Sequence, residues 1–406
     1  MRSMASVTTA PPTMRRAHAS RARRGAPARA SAREGAYGRR DAMALVMTGL
    51  IGCELIGADA ARADEGDASA DAASTMVTYS KPRVVITGSN SGIGRDAATK
   101  LAKSGKWVVV LACRSRAKAE QAKADIMQEF PDVNADDIEC YACDLGDLSS
   151  VRAFAKDVTA DGAPVDALCL NAGVEYSGDP VVHRTADGFE ETIGVNHLGH
   201  FLLANLLLPR LEASEKFAHP RIVVTSSEVH DPSSPGGSVG KGATLGTLEG
   251  LTRDGKAFEM VSGEAFDADK AYKDSKLCNM LFTYELERRL QARRSKVNVN
   301  AFGPGLITRT GLFRHQQPLF VKVFDFVTND VAHVAETVDG GGNTLLFMLT
   351  DPSLEGVGGM YFNNTLSPGT PPTGHAFVKT DSSEESLRAD EAAKLWSLSE
   401  KLVNLA

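Results

Sequence analysis

Short runs of β-branched and apolar residues alternate along this chain with longer stretches in which apolar residues recur every three or four positions. Arg83-Val-Val-Ile-Thr87 is the first such run, and it stops at Gly88-Ser-Asn-Ser-Gly92-Ile-Gly94, after which Arg95 to Ser104 carries helical spacing up to Gly105. The alternation continues. Strands are predicted at Trp107 to Ala112, Ile138 to Ala142, Val165 to Asn171, Arg221 to Ser226 and Val297 to Phe302. Between them lie a helix ending at Phe130, an apolar helix through Val195 to Leu208, and an apolar, helix-favouring run from Leu277 to Leu290. Strand and helix in turn predict an α/β domain with a parallel, doubly wound sheet. The 44 residues between Ser227 and Tyr272, rich in Gly, Ser and Lys, exceed a normal strand-to-helix link and predict an insertion that covers a substrate.

The front of the chain has none of this periodicity. Residues 1–62 hold eleven Arg, no Lys and four acidic residues, about +7 on a chain whose net charge is −6, so the body is near −13. An Arg- and Ser-rich, acid-poor start is the composition of an organelle transit peptide. Arg39-Arg40, the apolar run Ala42 to Gly57 and Ala61-Arg62-Ala63 also suit a twin-arginine signal behind a plastid transit peptide, and both readings of the leader stay open. The apolar run is too short and too polar to predict a membrane span. Residues 63–80 are small, acidic and Ser/Ala-rich and are expected to form a linker, so the folded domain is placed at 81–406. With 43% hydrophobic and 24% charged residues, the composition is that of a globular domain, and its acidic body argues against a nucleic-acid surface.

The candidate chemistry sits at the carboxyl ends of these strands. A glycine turn between a strand and a helix lets backbone approach a pyrophosphate, with the helix N-terminus facing the charge. Arg114, at the end of the second strand and followed by Arg116 and Lys118, points to the extra phosphate of NADP, where a carboxylate would suit NAD. Asp144 is placed to reach the adenine side, and Asn171-Ala172-Gly173 ends a buried strand beside the cofactor. Tyr272 and Lys276, four apart on one helical face, bring an ammonium to a phenol, an acid/base arrangement in which the cation draws the phenol pKa down. Asn196 is an amide inside an apolar helix and is expected to hold water or a carbonyl in a proton path. His197 and His200 lack a third ligand and read as packing or surface residues, and Cys140-Tyr-Ala-Cys143 lacks a second pair, so no metal site is predicted. Six scattered cysteines imply no disulfide framework.

Taken together, Thr87-Gly88-x-x-x-Gly92-Ile-Gly94, Asn171-Ala-Gly173, Asn196, Ser227, Tyr272-x-x-x-Lys276 and Pro304-Gly305 resemble the short-chain dehydrogenase/reductase family over residues 82–350. The resemblance implies a Rossmann-type fold that binds NADP, with Tyr272 as proton donor or acceptor, Lys276 lowering its pKa and gripping the ribose, Ser227 orienting the substrate oxygen and Asn196 supporting a proton relay. It also implies a cofactor cradle of Thr87, Gly88, Ser91, Gly92, Ile93 and Gly94, continued by Arg114, Asp144, Asn171, Ala172, Gly173, Pro304, Gly305 and Thr308.

A narrower resemblance covers nearly all of residues 82–406. The insertion motif Leu245-Gly-x-Leu248-x-Gly250-Leu251, the approach Phe266 to Lys276, Thr310 to Arg314 with Pro318-Leu-Phe320, Asp351 to Leu354 and the tail Leu395 to Val403 are similar to the light-dependent protochlorophyllide reductases. That family implies a chloroplast enzyme in which light triggers hydride transfer from NADPH to a ring double bond of the pigment. It further implies a small-molecule substrate, with peripheral thylakoid contact and self-association as expectations. Leu306 stands where that family has a cysteine, Gly173 and Glu175 where it has alanine and tyrosine, and Met360 to Asn363 lack its tryptophans. The segments Ala112-Cys-Arg114, Thr185 to Phe189 and Asn196 to Phe201 equally suit a retinol-dehydrogenase-like reductase of a carbonyl or alcohol. A plastid scaffold that binds NADPH without turnover is the third reading.

Overall fold

The first strand, β1 (Arg83–Thr87), is buried over its whole length because a strand lies on each side of it. A computed structural model of the chain describes residues 80–312, 316, 325–326, 328, 335–366 and 375–405. The predicted leader and nearly all of the predicted linker lie outside the described residues, as do Arg314 and Pro318 to Phe320.

The remaining strands are β2 (Val108–Cys113), β3 (Ile138–Ala142), β4 (Ala167–Leu170), β5 (Arg221–Thr225), β6 (Asn298–Gly303), β7 (Tyr361–Leu366) and β8 (His375–Lys379). They form one sheet in the order β3-β2-β1-β4-β5-β6-β7-β8. All pairs are parallel except β7 with β8, where Phe362 faces Lys379 and Leu366 faces His375 in an antiparallel hairpin. The wholly parallel sheet expected from the sequence therefore gains an antiparallel edge. The order reverses between β1 and β4, so a crevice opens there at the carboxyl ends of the strands.

Helices cover both faces, as parallel strands buried on two sides require. On one face lie α1 (Gly92–Ser104), α2 (Arg116–Glu129) and α6 (Val338–Thr350). On the other lie α3 (Leu148–Val158), α4 (His200–Glu212), α5 (Ala268–Ala292) and α7 (Ala389–Leu402). The helix α6 carries Gly340-Gly341-Gly342, a run that intrinsic propensity alone would exclude from a helix interior. Packing overrides it. A Cβ on Gly341 would stand 2.3 Å from Ile307 Cδ1, and one on Gly342 only 1.8 Å from Asp96 Oδ2 of α1, so only glycine lets the two helices meet.

The 25-residue helix α5 runs through the middle of its layer, started by Asp267, whose carboxylate accepts the Lys270 N–H. The helix α7 closes over it. Trp396 stacks on Phe282 at 5.9 Å, meets Phe201 edge-on at 4.8 Å and lies under the Arg289 guanidinium at 4.4 Å. His197 donates to or accepts from Ser399 at 3.0 Å inside the same cluster, and burial pushes its imidazole down to about 3, so it stays neutral. This is the packing role its sequence predicted. Replacing Trp396 by Ala should remove about 3–5 kcal/mol of stability, read as a lower urea midpoint with unchanged m-value.

Candidate active site

The turn after β1 is shaped by close backbone contacts. Gly88 holds φ +67°, a left-handed conformation, and a Cβ there would lie 2.9 Å from Ala172 Cα; one on Gly94 would lie 2.5 Å from Asn171 Nδ2. The Asn171 amide in turn donates to the Thr87 carbonyl at 3.0 Å. The turn is thereby pressed against the end of β4, and the N-terminus of α1 faces a cavity of about 1090 Å³. Ser91 precedes α1 without capping it through its side chain. The backbone N–H groups and the positive dipole end that a pyrophosphate requires are in place, so the residues present fit a dinucleotide.

Most of the predicted cofactor residues meet on the wall of this cavity. Gly88, Ser91, Gly92, Ile93 and Gly94 line it, as do Asn171, Ala172, Gly173, Pro304 and Gly305. The exposed Arg114 and Lys118 stand together at the rim after β2, a cationic pair able to hold a ribose phosphate. Asp144 also lines the cavity, and its Oδ1 accepts the Gly146 N–H at 3.0 Å.

Two predicted residues serve from behind the wall. The Thr87 hydroxyl accepts the N–H groups of Asn171 at 2.8 Å and Ala172 at 3.0 Å, and it lies 2.9 Å from His200 Nε2. His200 Nδ1 is 3.1 Å from the Asn196 carbonyl, which can only accept, so Nδ1 carries the proton and Nε2 receives the Thr87 hydroxyl. Burial holds His200 down at about 4, so this neutral tautomer persists. Thr308 directs its hydroxyl to Asp325 at 2.5 Å, while its neighbours Ile307 and Thr310 line the cavity.

Ser227, Tyr272 and Lys276 line the same cavity. The Lys276 ammonium lies 5.3 Å from the Tyr272 ring centroid and donates to the Thr225 carbonyl at 3.4 Å. Burial pushes this lysine down to about 8. Burial first, and the Glu175 charge second, hold the Tyr272 phenol well above the usual tyrosine range. Against the expectation that Lys276 draws Tyr272 down, desolvation together with the Glu175 charge moves the phenol the other way. A phenol in this state is a proton donor at neutral pH.

Asn196 sits in a turn of π-helix (Gly194–Gly199), where the wider winding swings its side chain toward the neighbouring loop and α5. Its Oδ1 accepts the Val174 N–H at 2.8 Å, and its Nδ2 donates to the Val174 carbonyl and to Ser275 Oγ, both at 3.0 Å. The amide clamps the loop after β4 to α5, one residue before Glu175. Ser227 accepts the Val229 N–H at 3.4 Å, and its carbonyl receives His230 Nδ1–H at 2.6 Å.

Three contributors were missed by the motif reading. Glu175 is 7% exposed, lines the cavity, and is pushed up to about 6 by burial. It is the first acidic residue after a buried strand, the only signal the sequence offers. His230 takes the Ser383 N–H on Nε2 at 3.2 Å and so ties Ser227 to the segment leading into α7. Lys273 donates to the carbonyls of Gly237 at 3.1 Å, Lys241 at 3.0 Å and also Val239, which fastens the insertion to α5. That insertion covers the cavity with Gly236, Val239, Gly240 and Lys241. Leu306 lines the cavity as well. Among the described residues, no group of three His, Cys, Asp or Glu could hold a metal ion.

Gly94→Ala should weaken NADPH binding at least about tenfold by pushing Asn171 out of place, measured by fluorescence titration of the folded variant. Glu175 makes a second, opposite prediction. Its folded-state pKa lies above the unfolded one, so its ionisation costs stability at neutral pH, by about 2 kcal/mol, and nothing below the unfolded value. Glu175→Gln should therefore be the more stable protein above pH 6, with the difference in urea midpoint vanishing as pH falls toward about 4.5.

The family model of the short chain dehydrogenases matches residues 82–257. Protochlorophyllide reductase of Cucumis sativus chloroplasts is 37% identical over 331 residues, 81% of this chain and 79% of the relative. Protochlorophyllide reductase A of rice chloroplasts is 39% identical, over 79% of this chain and 80% of the relative. The Chlamydomonas reinhardtii enzyme is 35% identical, over 81% and 79%. Among solved structures, an uncharacterized protein of Mycobacterium paratuberculosis superimposes with TM-score 0.56 at 30% identity, covering 80% of this chain and 93% of that one. Levodione reductase, at TM-score 0.51 and 20% identity over 70% of this chain and 96% of its own, shares the fold. Cradle, Tyr-Lys pair and relatives agree: the chain is an NADPH-dependent oxidoreductase of the short-chain dehydrogenase/reductase family and belongs, within it, with the protochlorophyllide reductases.

Proposed function

We propose that this protein reduces protochlorophyllide to chlorophyllide with NADPH under light, inside the chloroplast. The observation that carries the reading is the continuity of one cavity, which runs from the glycine cradle to Tyr272 and is roofed by the insertion. A relative at 39% identity over that whole span bears this activity in its name.

NADPH, when bound by the cradle, Arg114 and Lys118, supplies the hydride. The protein supplies the rest. Tyr272, protonated because burial and Glu175 hold its pKa high, stands as donor to the ring carbon next to the one that takes the hydride. Lys276 is the cation nearest to the phenolate that results. Ser227, fixed by Val229 and His230, orients a substrate oxygen. The insertion, latched by Lys273, keeps water from the reacting carbons. Leu306 supplies an apolar contact where a thiol is not needed if Tyr272 is the donor. The relatives are chloroplast proteins, which supports reading residues 1–62 as a plastid leader; fractionation of plastids distinguishes stroma from lumen.

The test is a flash assay on the mature protein with NADPH and pigment. Chlorophyllide absorbance should follow a flash and be absent in darkness, and Tyr272→Phe should lower the yield about 100-fold or more with NADPH binding retained. Aldehyde reduction in darkness, with nothing after a flash, would overturn the reading.

A further inference from the structure

We propose that Glu175 is a positioning residue that returns the proton to Tyr272 after each turnover, taking it from solvent at the cavity. The inference rests on the reading of Tyr272 as donor. Glu175 leaves the end of β4 on a short loop that Asn196 clamps at Val174, so its carboxyl is held in place on the cavity wall with Tyr272 and Lys276. Its Oε1 receives Ser177 Oγ at 2.5 Å and Gln316 Nε2 at 3.4 Å. The groups that face it are Tyr272, Lys276 and Asp269 of α5, Ser177 of its own loop and Gln316 of the segment after β6. Its charge acts on Tyr272 and Lys276 alike, raising both.

When the phenol gives its proton to the substrate carbon, the O–H bond breaks and the electron pair stays on oxygen. A phenolate then stands on the same cavity wall as the Glu175 carboxylate, and two like charges in a buried site raise each other's proton affinity. Burial already pushes the carboxyl up to about 6, with the Asp269 charge acting the same way, so the new charge lets it bind a solvent proton. That proton then passes to the phenolate, the phenol is restored, and Glu175 is a carboxylate again. One proton is consumed from water per turnover, and no electrons move in this step.

Wild type, Glu175→Gln and Glu175→Asp are compared in full-length mature protein with NADPH and pigment, by first-flash yield and by rate in continuous light. The Gln variant should lose about tenfold more in continuous-light kcat than in first-flash yield, with KM for NADPH within about twofold, and the Asp variant should recover most of the rate. Equal losses in both measurements, no loss, or an Asp variant as slow as Gln would overturn the proposal. If wild type itself gives no product after a flash, the assigned reaction fails, and infrared titration of the NADPH-bound protein decides on Glu175 alone. A carboxylic acid band titrating near pH 6 and missing in Glu175→Gln supports it; superimposable titrations overturn it.

Discussion

Everything in the site depends on one buried ammonium. Lys276 is 4% exposed on a helix that lies against the sheet, and its displacement from the usual lysine range to about 8 corresponds to about 3 kcal/mol of unfavourable desolvation. Such a charge is tolerated only where neighbours compensate it, and the neighbours are the Thr225 carbonyl, the Tyr272 ring and the Glu175 carboxyl. The same desolvation that makes Lys276 costly also keeps Tyr272 protonated. Acid strength in this site is thus set by removal of water as much as by the Tyr-Lys spacing.

The framework around that charge is built from residues set back from the cavity wall. Thr87, His200 and Asn196 form a chain of hydrogen bonds that joins β1, the loop after β4 and α5. Burial fixes His200 as the neutral tautomer that this chain needs. Asp274 and Lys270, paired at 2.6 Å inside the protein, extend the same helix toward the insertion, since Asp274 accepts the Thr244 N–H and Lys270 donates to the Thr244 carbonyl. Catalytic geometry and the attachment of the roof are therefore two faces of one helix.

The elements legible in the sequence were those whose signals are local. Arg83 to Thr87 and Ile138 to Ala142 appear as strands with the bounds expected from the sequence, and the glycine turn lies where strand gives way to helix. The Tyr272 and Lys276 pair is legible because helical spacing places both on one face. What escaped depends on partners distant in the chain. Glu175 is one carboxylate in a loop until Tyr272 and Gln316 are brought to it. Thr308 reads as a hydroxyl at a strand edge, and only the fold shows that Asp325 takes it. The glycine run of α6 contradicts helix propensity, and its reason, contact with Ile307 and Asp96, is tertiary. The antiparallel β8 is likewise invisible to a pattern of alternating strand and helix.

The seating of α7 has a kinetic side. The helix that carries Tyr272 and Lys276 presents Phe282 to Trp396, and Arg152 of α3 reaches the carbonyls of Val403 and Asn404. Both sets of contacts close loops that span much of the chain, and such closures are entropically late. The nascent catalytic helix therefore exposes an apolar flank until Ala389–Leu402 arrives, and the interval before that arrival is when the chain is most open to association with other apolar surfaces.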